Sequence, residues 1–362
     1  MSKLSSSLLS SSSRPHIEVC SDCSSVSRRG FIKSVGGAAL AGVVGSVAGS
    51  VVSATPVLAA RSAALADSKP AETAVKALFD SLKPEQRKLM CFPFDHKLRS
   101  FISNNWHVVD EEAGAVGKLY TPDQQDLIRQ IFKGVTSPEG HEKFLKQMKD
   151  DAGGFEKYTC AIFGEPGTGK FEWVMTGRHL TIRADGDSVE NTAFGGPIFY
   201  GHAVEFNERP DHPGNIWWHQ ARLANDVFKA LDGKQRERAL LDKAPADEDT
   251  VVRLMGTTEG IPGLPVGELG ADQKGAIEKA LKDMLGMYRA SDVDEALACV
   301  KKNGGLDALR VSFYKEEDLG SDGIWDRWMI QGPTLVWYFR GSPHVHAWVN
   351  IASAVTEKKA RI

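Results

Sequence analysis

The chain has 362 residues, 44 Lys and Arg against 47 Asp and Glu, a net charge of −3 and five cysteines. A near-neutral balance without a long basic run argues against a nucleic-acid partner. Only Cys91, Cys160 and Cys299 lie beyond residue 66, which excludes a disulfide-stapled scaffold.

The first stretch is Ser-rich, with Cys20-Ser21-Asp22-Cys23 as a lone CxxC. It leads into Ser27-Arg28-Arg29-Gly30-Phe31-Ile32-Lys33 and an apolar, Gly/Ala-rich run from Val35 to Val52. Basic-then-apolar order around an arginine pair reads as a twin-arginine export signal. Small residues at Ala59-Ala60 and Ala64-Leu65-Ala66 suit a signal peptidase. The expected partner is therefore the twin-arginine export machinery. The expected location is periplasmic or extracellular, with the membrane met only through this segment; a retained anchor is the alternative. That route carries folded proteins, so it favours a bound metal or cofactor. Residues 1–66 are read as signal and leader, 67–215 and 216–362 as two α+β repeats.

The repeat reading rests on four helix starts that place Gln three residues after the capping position. They begin at Lys83, Thr121, Asp232 and Gly270, with Gln86, Gln124, Gln235 and Gln273. Thr121 with Gln124 is a capping box with Pro122 at the first helical position, and Asp232 is a good cap. Thr121 follows Lys83 by 38 residues, and Gly270 follows Asp232 by the same 38. Apolar periodicity predicts helices near 71–90, 120–133, 139–149, 219–241, 270–287 and 293–303. Strands are predicted near 157–163, 171–183, 308–314, 325–331, 334–340 and 345–351, with loops at 164–169, 195–197 and 260–268. Trp173 to Leu180 and Trp328 to Leu335 share the pattern W-x-x-x-G-x-x-L. Helices then a hairpin, twice, predicts two similar lobes with a cleft between them.

Among motifs that carry chemistry, His344-Val345-His346 leads. In a strand, i and i+2 share a face, so both imidazoles can meet one ion. His179 lies on the matching strand of the first copy and is the expected third ligand, with His202 as a fourth and His219 next in line. The bland alternative is a surface strand pair beside an interior histidine. Arg178, next to His179, is a candidate for holding a substrate carboxylate. Gly164 to Lys170 fits G-x-x-x-x-G-K, but Phe171 replaces the required Ser or Thr and a strand pattern follows, so a Gly-rich hairpin is the better reading. Glu205, Glu208, Asp211 and Asp226 show no catalytic spacing. Past the leader neither G-x-S-x-G nor H-E-x-x-H occurs. Cys160 sits in an apolar run and reads as core. Phe194, Phe199, Tyr200, Trp217 and Trp218 suit either a ligand pocket or packing.

Several segments together resemble the uncharacterised exported bacterial family catalogued as domain of unknown function 3500. They are Phe92-Pro93-Phe94-Asp95, Tyr158 to Phe163 with Gly164 and Pro166, Trp173 to Leu180, Gly195-Gly196-Pro197 to Gly201, Gly260 to Leu264, and His344-Val345-His346. The family motif Gly-His-His-Leu has Arg178 at its first histidine here and His179 at its second. Where an Asn-Pro often follows the Gly-rich stretch, this chain has His202-Ala203. The resemblance implies a shared fold and cleft and adds weight to a cluster of His179, His344 and His346; it implies no activity. The resulting expectation is an exported protein binding a transition metal (zinc, copper or iron), working as a hydrolase or an oxidoreductase on a small molecule. The alternatives are a periplasmic metal or small-molecule carrier and a structural envelope protein.

Overall fold

The computed structural model describes residues 70–209, 211–320 and 323–355. The arginine pair, the apolar run, the Ala cleavage positions and the Cys20–Cys23 pair lie outside the described residues. Among the described residues, no helix is long and apolar enough to cross a membrane.

The first half comprises α1 (Pro70–Ser81), α2 (Pro84–Met90), β1 (Cys91–Phe92), α3 (Glu111–Gly114), α4 (Val116–Leu119), α5 (Pro122–Gly134), α6 (Pro138–Ala152), β2 (Thr159–Gly164), β3 (Phe171–Gly177), β4 (Leu180–Ala184) and β5 (Ile198–His202). The second comprises α7 (Trp218–Lys229), α8 (Gly233–Ala239), β6 (Leu240–Leu241), β7 (Leu264–Pro265), α9 (Ala271–Leu285), α10 (Ala290–Lys302), β8 (Arg310–Tyr314), β9 (Arg327–Gly332), β10 (Leu335–Arg340) and β11 (Val345–Ile351). The helix expected over 71–90 is two helices. Lys83 is extended (φ −72°, ψ 157°) and Pro84 restarts the chain as a first helical residue. The helix expected over 219–241 breaks in the same way at Asp232, whose side chain caps α8.

The recurring glutamines have a physical role. Each side-chain Oε1 accepts the N–H of its own capping residue, at 2.9 Å for Lys83, 3.1 Å for Thr121, 2.8 Å for Asp232 and 3.0 Å for Gly270. The amides then pair across helices. Gln86 and Gln124 exchange bonds of 2.8 and 3.1 Å, and Gln235 and Gln273 exchange bonds of 2.7 and 3.3 Å. Each pair thus ties two helix starts together and satisfies donors that a helix end leaves open.

All the strands join one mixed sheet in the order β1-β2-β3-β4-β5-β11-β10-β9-β8-β6, with β7 on β8. Each half starts with a two-residue strand set parallel to its neighbour, β1 on β2 and β6 on β8. The strands further in run antiparallel. Gly177 opposes Leu180 and Gly332 opposes Leu335, so both W-x-x-x-G-x-x-L stretches are hairpins closed at the same place. Gly164 to Lys170 likewise joins two antiparallel strands, with no helix after it. At the centre β5 and β11 run antiparallel, with Ile198 opposite Val349 and His202 opposite Val345. The join between the halves is thus a strand pair inside one continuous sheet. β5 is absent from the predicted strands because Gly195-Gly196-Pro197 masks its start.

Side chains alternate between the faces. Tyr200, Val345 and Ala347 point toward the helices, where Tyr200 meets Phe144 of α6 and Trp217. The aromatic group Phe194, Phe199, Tyr200, Trp217 and Trp218 is buried, which favours packing. Phe199, Trp348, Tyr338 and Met329 point the other way and pack with Ile102, Val251 and Val252. That second face is covered by two irregular segments, one around residues 99–108 and one around 244–254. Trp106 Nε1 donates to Thr181 Oγ1 at 2.9 Å, and Asn350 Nδ2 donates to the Val252 carbonyl at 2.9 Å.

Candidate metal centre

At one end of the sheet, where the two covering segments meet over the central strands, three imidazoles converge. His344 immediately precedes β11 and His346 is its second residue. His179 lies in the two-residue turn between β3 and β4, whose flanking residues Gly177 and Leu180 are paired. The Nε2 of His346 is 3.0 Å from the Nε2 of His344 and 3.2 Å from the Nε2 of His179. All three rings are buried, with His344 the most exposed at 7%. Together they form a group able to hold a metal ion, one ligand atom from each lying within 4.8 Å of the others.

The backbone is shaped for this meeting. His179 has φ +57°, a left-handed conformation costly for a side chain of this kind. It is held there on both sides. Its N–H donates to the Asn104 carbonyl at 3.0 Å, while its carbonyl accepts from the Gly201 N–H at 3.1 Å and the Gln147 amide at 2.7 Å. Gly201 is glycine for a steric reason. A Cβ there would lie 2.4 Å from the Val345 carbonyl oxygen and 3.2 Å from the His179 ring.

Two carboxylates orient the rings. Asp151, near the end of α6, lies 2.9 Å from His179 Nδ1 and also accepts the Ala203 N–H at 2.7 Å. Asp247 lies 2.5 Å from His346 Nδ1, accepts the Trp348 indole N–H at 2.7 Å and meets the Arg340 guanidinium at 2.8 Å. Burial pushes the Asp247 carboxyl up, but His346, Arg340 and Trp348 together outweigh it and hold it well below the usual range. Burial pushes the His346 imidazole down to about 3; the nearby Asp247 only partly opposes this. Burial, with His346, His179 and Arg340 nearby, pushes His344 down to about 2.

A neutral ring that donates Nδ1–H to a carboxylate carries a lone pair at Nε2. With both rings in that form, the Nε2 lone pairs of His346 and His179 face each other at 3.2 Å. A cation between them relieves that repulsion. Two nitrogens bound at about 2.0–2.1 Å to a tetrahedral ion lie roughly 3.3 Å apart, close to the spacings seen here.

Of the expected site residues, His179, His344 and His346 come together and His202 stands apart. Its Nδ1 is 3.0 Å from the Gly214 carbonyl and its Nε2 is 3.0 Å from Asp150, on the helix side of the sheet. Strand alternation explains this: His202 opposes Val345, whereas His346 opposes Gly201. Arg178 shares the turn with His179. Its carbonyl accepts the Tyr158 hydroxyl at 2.8 Å, while its buried Nε has no hydrogen-bond partner. His219 lies 3.1 Å from Lys143 at the start of α7. Asp151 and Asp247 escaped the sequence reading. Asp247 sits in an irregular acidic stretch that carries no periodicity. Asp150 and Asp151 did leave a trace: acidic residues in the last turn of a helix oppose its dipole, which hints at another use.

A family model described as "Protein of unknown function (DUF3500)" matches residues 66–351. No curated protein and no solved structure matches the chain.

Proposed function

Because the chain belongs to the family described as Protein of unknown function (DUF3500), a name that brings no activity, we propose a function from the site itself: an exported metalloprotein whose ligands are His179, His344 and His346. The observation that carries this reading is the convergence of three buried imidazoles, His346 Nε2 lying 3.0 Å from His344 Nε2 and 3.2 Å from His179 Nε2, with Asp247 and Asp151 at the Nδ1 atoms of His346 and His179. Neutral nitrogen ligands suit zinc, copper or iron. Three protein ligands with one position left open favour catalysis over storage, and such an ion supplies an activated water for hydrolysis. A carrier would need a closed fourth position, and His202 is committed to Asp150 and Gly214 instead. Hydrolysis is therefore preferred to electron transfer, and Arg178 is the residue proposed to receive a substrate carboxylate.

The halves 67–215 and 216–362 are read as a tandem duplication. The matched glutamine pairs, the matched hairpins and the parallel edge strand on each side support it. The centre then takes His179 from one copy and the other two imidazoles from its fellow. Substrate would enter between the lobes at His344, the least buried of the three. Export is read from Arg28-Arg29 and the run that follows.

Metal analysis of the purified protein tests the central claim. About one equivalent of a transition metal is expected, falling below roughly one tenth in the His344→Ala/His346→Ala double variant. A wild-type protein that holds less than that tenth even after reconstitution sinks the reading. Export is tested separately: Arg28→Lys with Arg29→Lys should retain the chain in the cytoplasm.

A further inference from the structure

The centre is sealed. Its most exposed ring, His344, is 7% exposed, so neither an ion nor a substrate reaches the three nitrogens unless one of the two covering segments moves. Their attachments differ. Segment 99–108 is fastened through its backbone. The Asn104 carbonyl accepts the His179 N–H at 3.0 Å, Asn105 forms a β-bridge with Arg178, and the Arg99 and Phe101 carbonyls both receive the Arg183 guanidinium. Among the described residues, no backbone-to-backbone hydrogen bond joins 245–255 to the rest of the chain. That stretch is held by side chains of β10 and β11 instead. Tyr338 donates to the Pro245 carbonyl at 3.4 Å and Asn350 to the Val252 carbonyl at 2.9 Å. Asp247 takes the Trp348 indole at 2.7 Å and the Arg340 guanidinium at 2.8 Å. Beneath, Val251 and Val252 pack on the apolar layer that includes Phe199 and Trp348. Non-directional apolar contact and single side-chain bonds part at lower cost than a backbone ladder. Just outside the stretch the chain is tied down again. The Leu241 carbonyl accepts the Lys315 N–H at 3.0 Å, and Gly256, at φ +73°, donates its N–H to the Pro333 carbonyl at 2.8 Å.

We propose that residues 242–255 are a lid over the three histidines, and that closing it is what brings Asp247 to His346. This rests on the three-histidine reading above. A ligating imidazole is oriented by a partner at its other ring nitrogen, commonly a carboxylate. On His346 that carboxylate is Asp247, and it travels with the lid. Open, the chain presents the imidazoles to an incoming ion or substrate. Shut, it sets Asp247 against His346 and excludes water. The ion is held better in the shut form, so by linkage its binding favours closure. Loading of the centre and access to it are one movement.

Each cover supplies a matched probe in the full chain. The Trp348 indole N–H is bonded to Asp247 of the lid, and the Trp106 indole N–H of the other cover is bonded to Thr181 at 2.9 Å. Both rings are buried. In metal-free protein, hydrogen exchange followed by NMR should replace the Trp348 indole proton at least about tenfold faster than that of Trp106, and Zn²⁺ should slow Trp348 selectively. Asn350→Ala removes one anchor of the lid and touches no ligand. It should speed both Zn²⁺ uptake and removal by a chelator about fivefold, with the dissociation constant nearly unchanged, because both rates scale with the open population. Thr181→Val loosens the other cover and should alter neither rate. Equal exchange of the two indoles, unchanged rates in Asn350→Ala, or equal acceleration in the two variants overturns the lid and leaves the metal centre standing. Failure of Zn²⁺ to bind removes the centre, while the indole comparison in metal-free protein still decides whether the segment opens.

Discussion

On β3 of the first half, Glu172 receives Arg99 at 2.8 Å and Arg183 at 2.7 Å. In the second half, Asp247 receives Arg340 at 2.8 Å and His346 at 2.5 Å. Strand register puts both clusters on the same face of the sheet, beneath the irregular covering segments. The first is closed. Arg183 also donates to the Pro197, Phe101 and Arg99 carbonyls, so its charge and each of its three nitrogens are answered. The second sets three imidazole nitrogens against one another, His346 Nε2 lying 3.0 Å from that of His344 and 3.2 Å from that of His179. Buried charge of similar make-up therefore serves two ends, and the difference lies in whether its hydrogen-bonding capacity is used up.

Breaking the closed cluster should have the largest effect. Glu172→Ala strands two buried or half-buried guanidiniums and should cost about 3–5 kcal/mol of stability by chemical denaturation. Metal stoichiometry should not change; a loss of metal with full stability would erase the distinction between the clusters. Asp247→Asn acts on the open one. It should weaken metal affinity by about 10–100-fold, read by chelator competition, because His346 loses the partner that fixes its tautomer. An unchanged affinity would make Asp247 a packing residue.

The glutamine pairs sharpen the comparison of the halves at smaller scale. Gln86 and Gln124 are buried, whereas the Gln235–Gln273 pair is partly open to water. Gln86→Ala should cost about 2 kcal/mol and Gln235→Ala about 1 kcal/mol or less. Equal losses would mean that the pairs act through capping alone. His219 belongs to neither cluster and serves as a control. Burial, with Lys143 beside it, pushes its imidazole down to about 4, against about 6.5 in an unfolded chain. The unfolded state takes up the proton first as pH falls. Stability from this group is present above pH ~6.5 and is lost on the way down to pH ~4, by about 3 kcal/mol. His219→Gln should flatten that slope in denaturation curves taken across the interval, with metal uptake at neutral pH unchanged.

Much of this was legible from the chain alone, for identifiable reasons. The helix starts were readable because Gln at the third position does one local job four times over. The hairpins were readable because Trp, Gly and Leu recur at strand spacing. His344 and His346 could be placed on one face because alternation is local. His179 was read as part of a strand over 171–183; it lies instead in the turn between β3 and β4, its left-handed backbone held by Asn104 and Gly201 from elsewhere. His202 was expected as a fourth ligand, but its strand, β5, went unrecognised, and with it the register that turns the ring toward Asp150 of α6. Asp247 was invisible: a carboxylate in an aperiodic stretch announces nothing until the segment lies across β10 and β11.

The pairing of β5 with β11 has a consequence for how such an ion would behave. His179 and His346 are separated by 167 positions along the chain, and only the assembled sheet brings them within reach of one another. An unfolded chain has no comparable trio to offer. An ion seated there acts as a clasp on the finished article alone, so the melting temperature should climb with free metal concentration, by about 2.7 kcal/mol of added stability at a hundredfold excess over the dissociation constant.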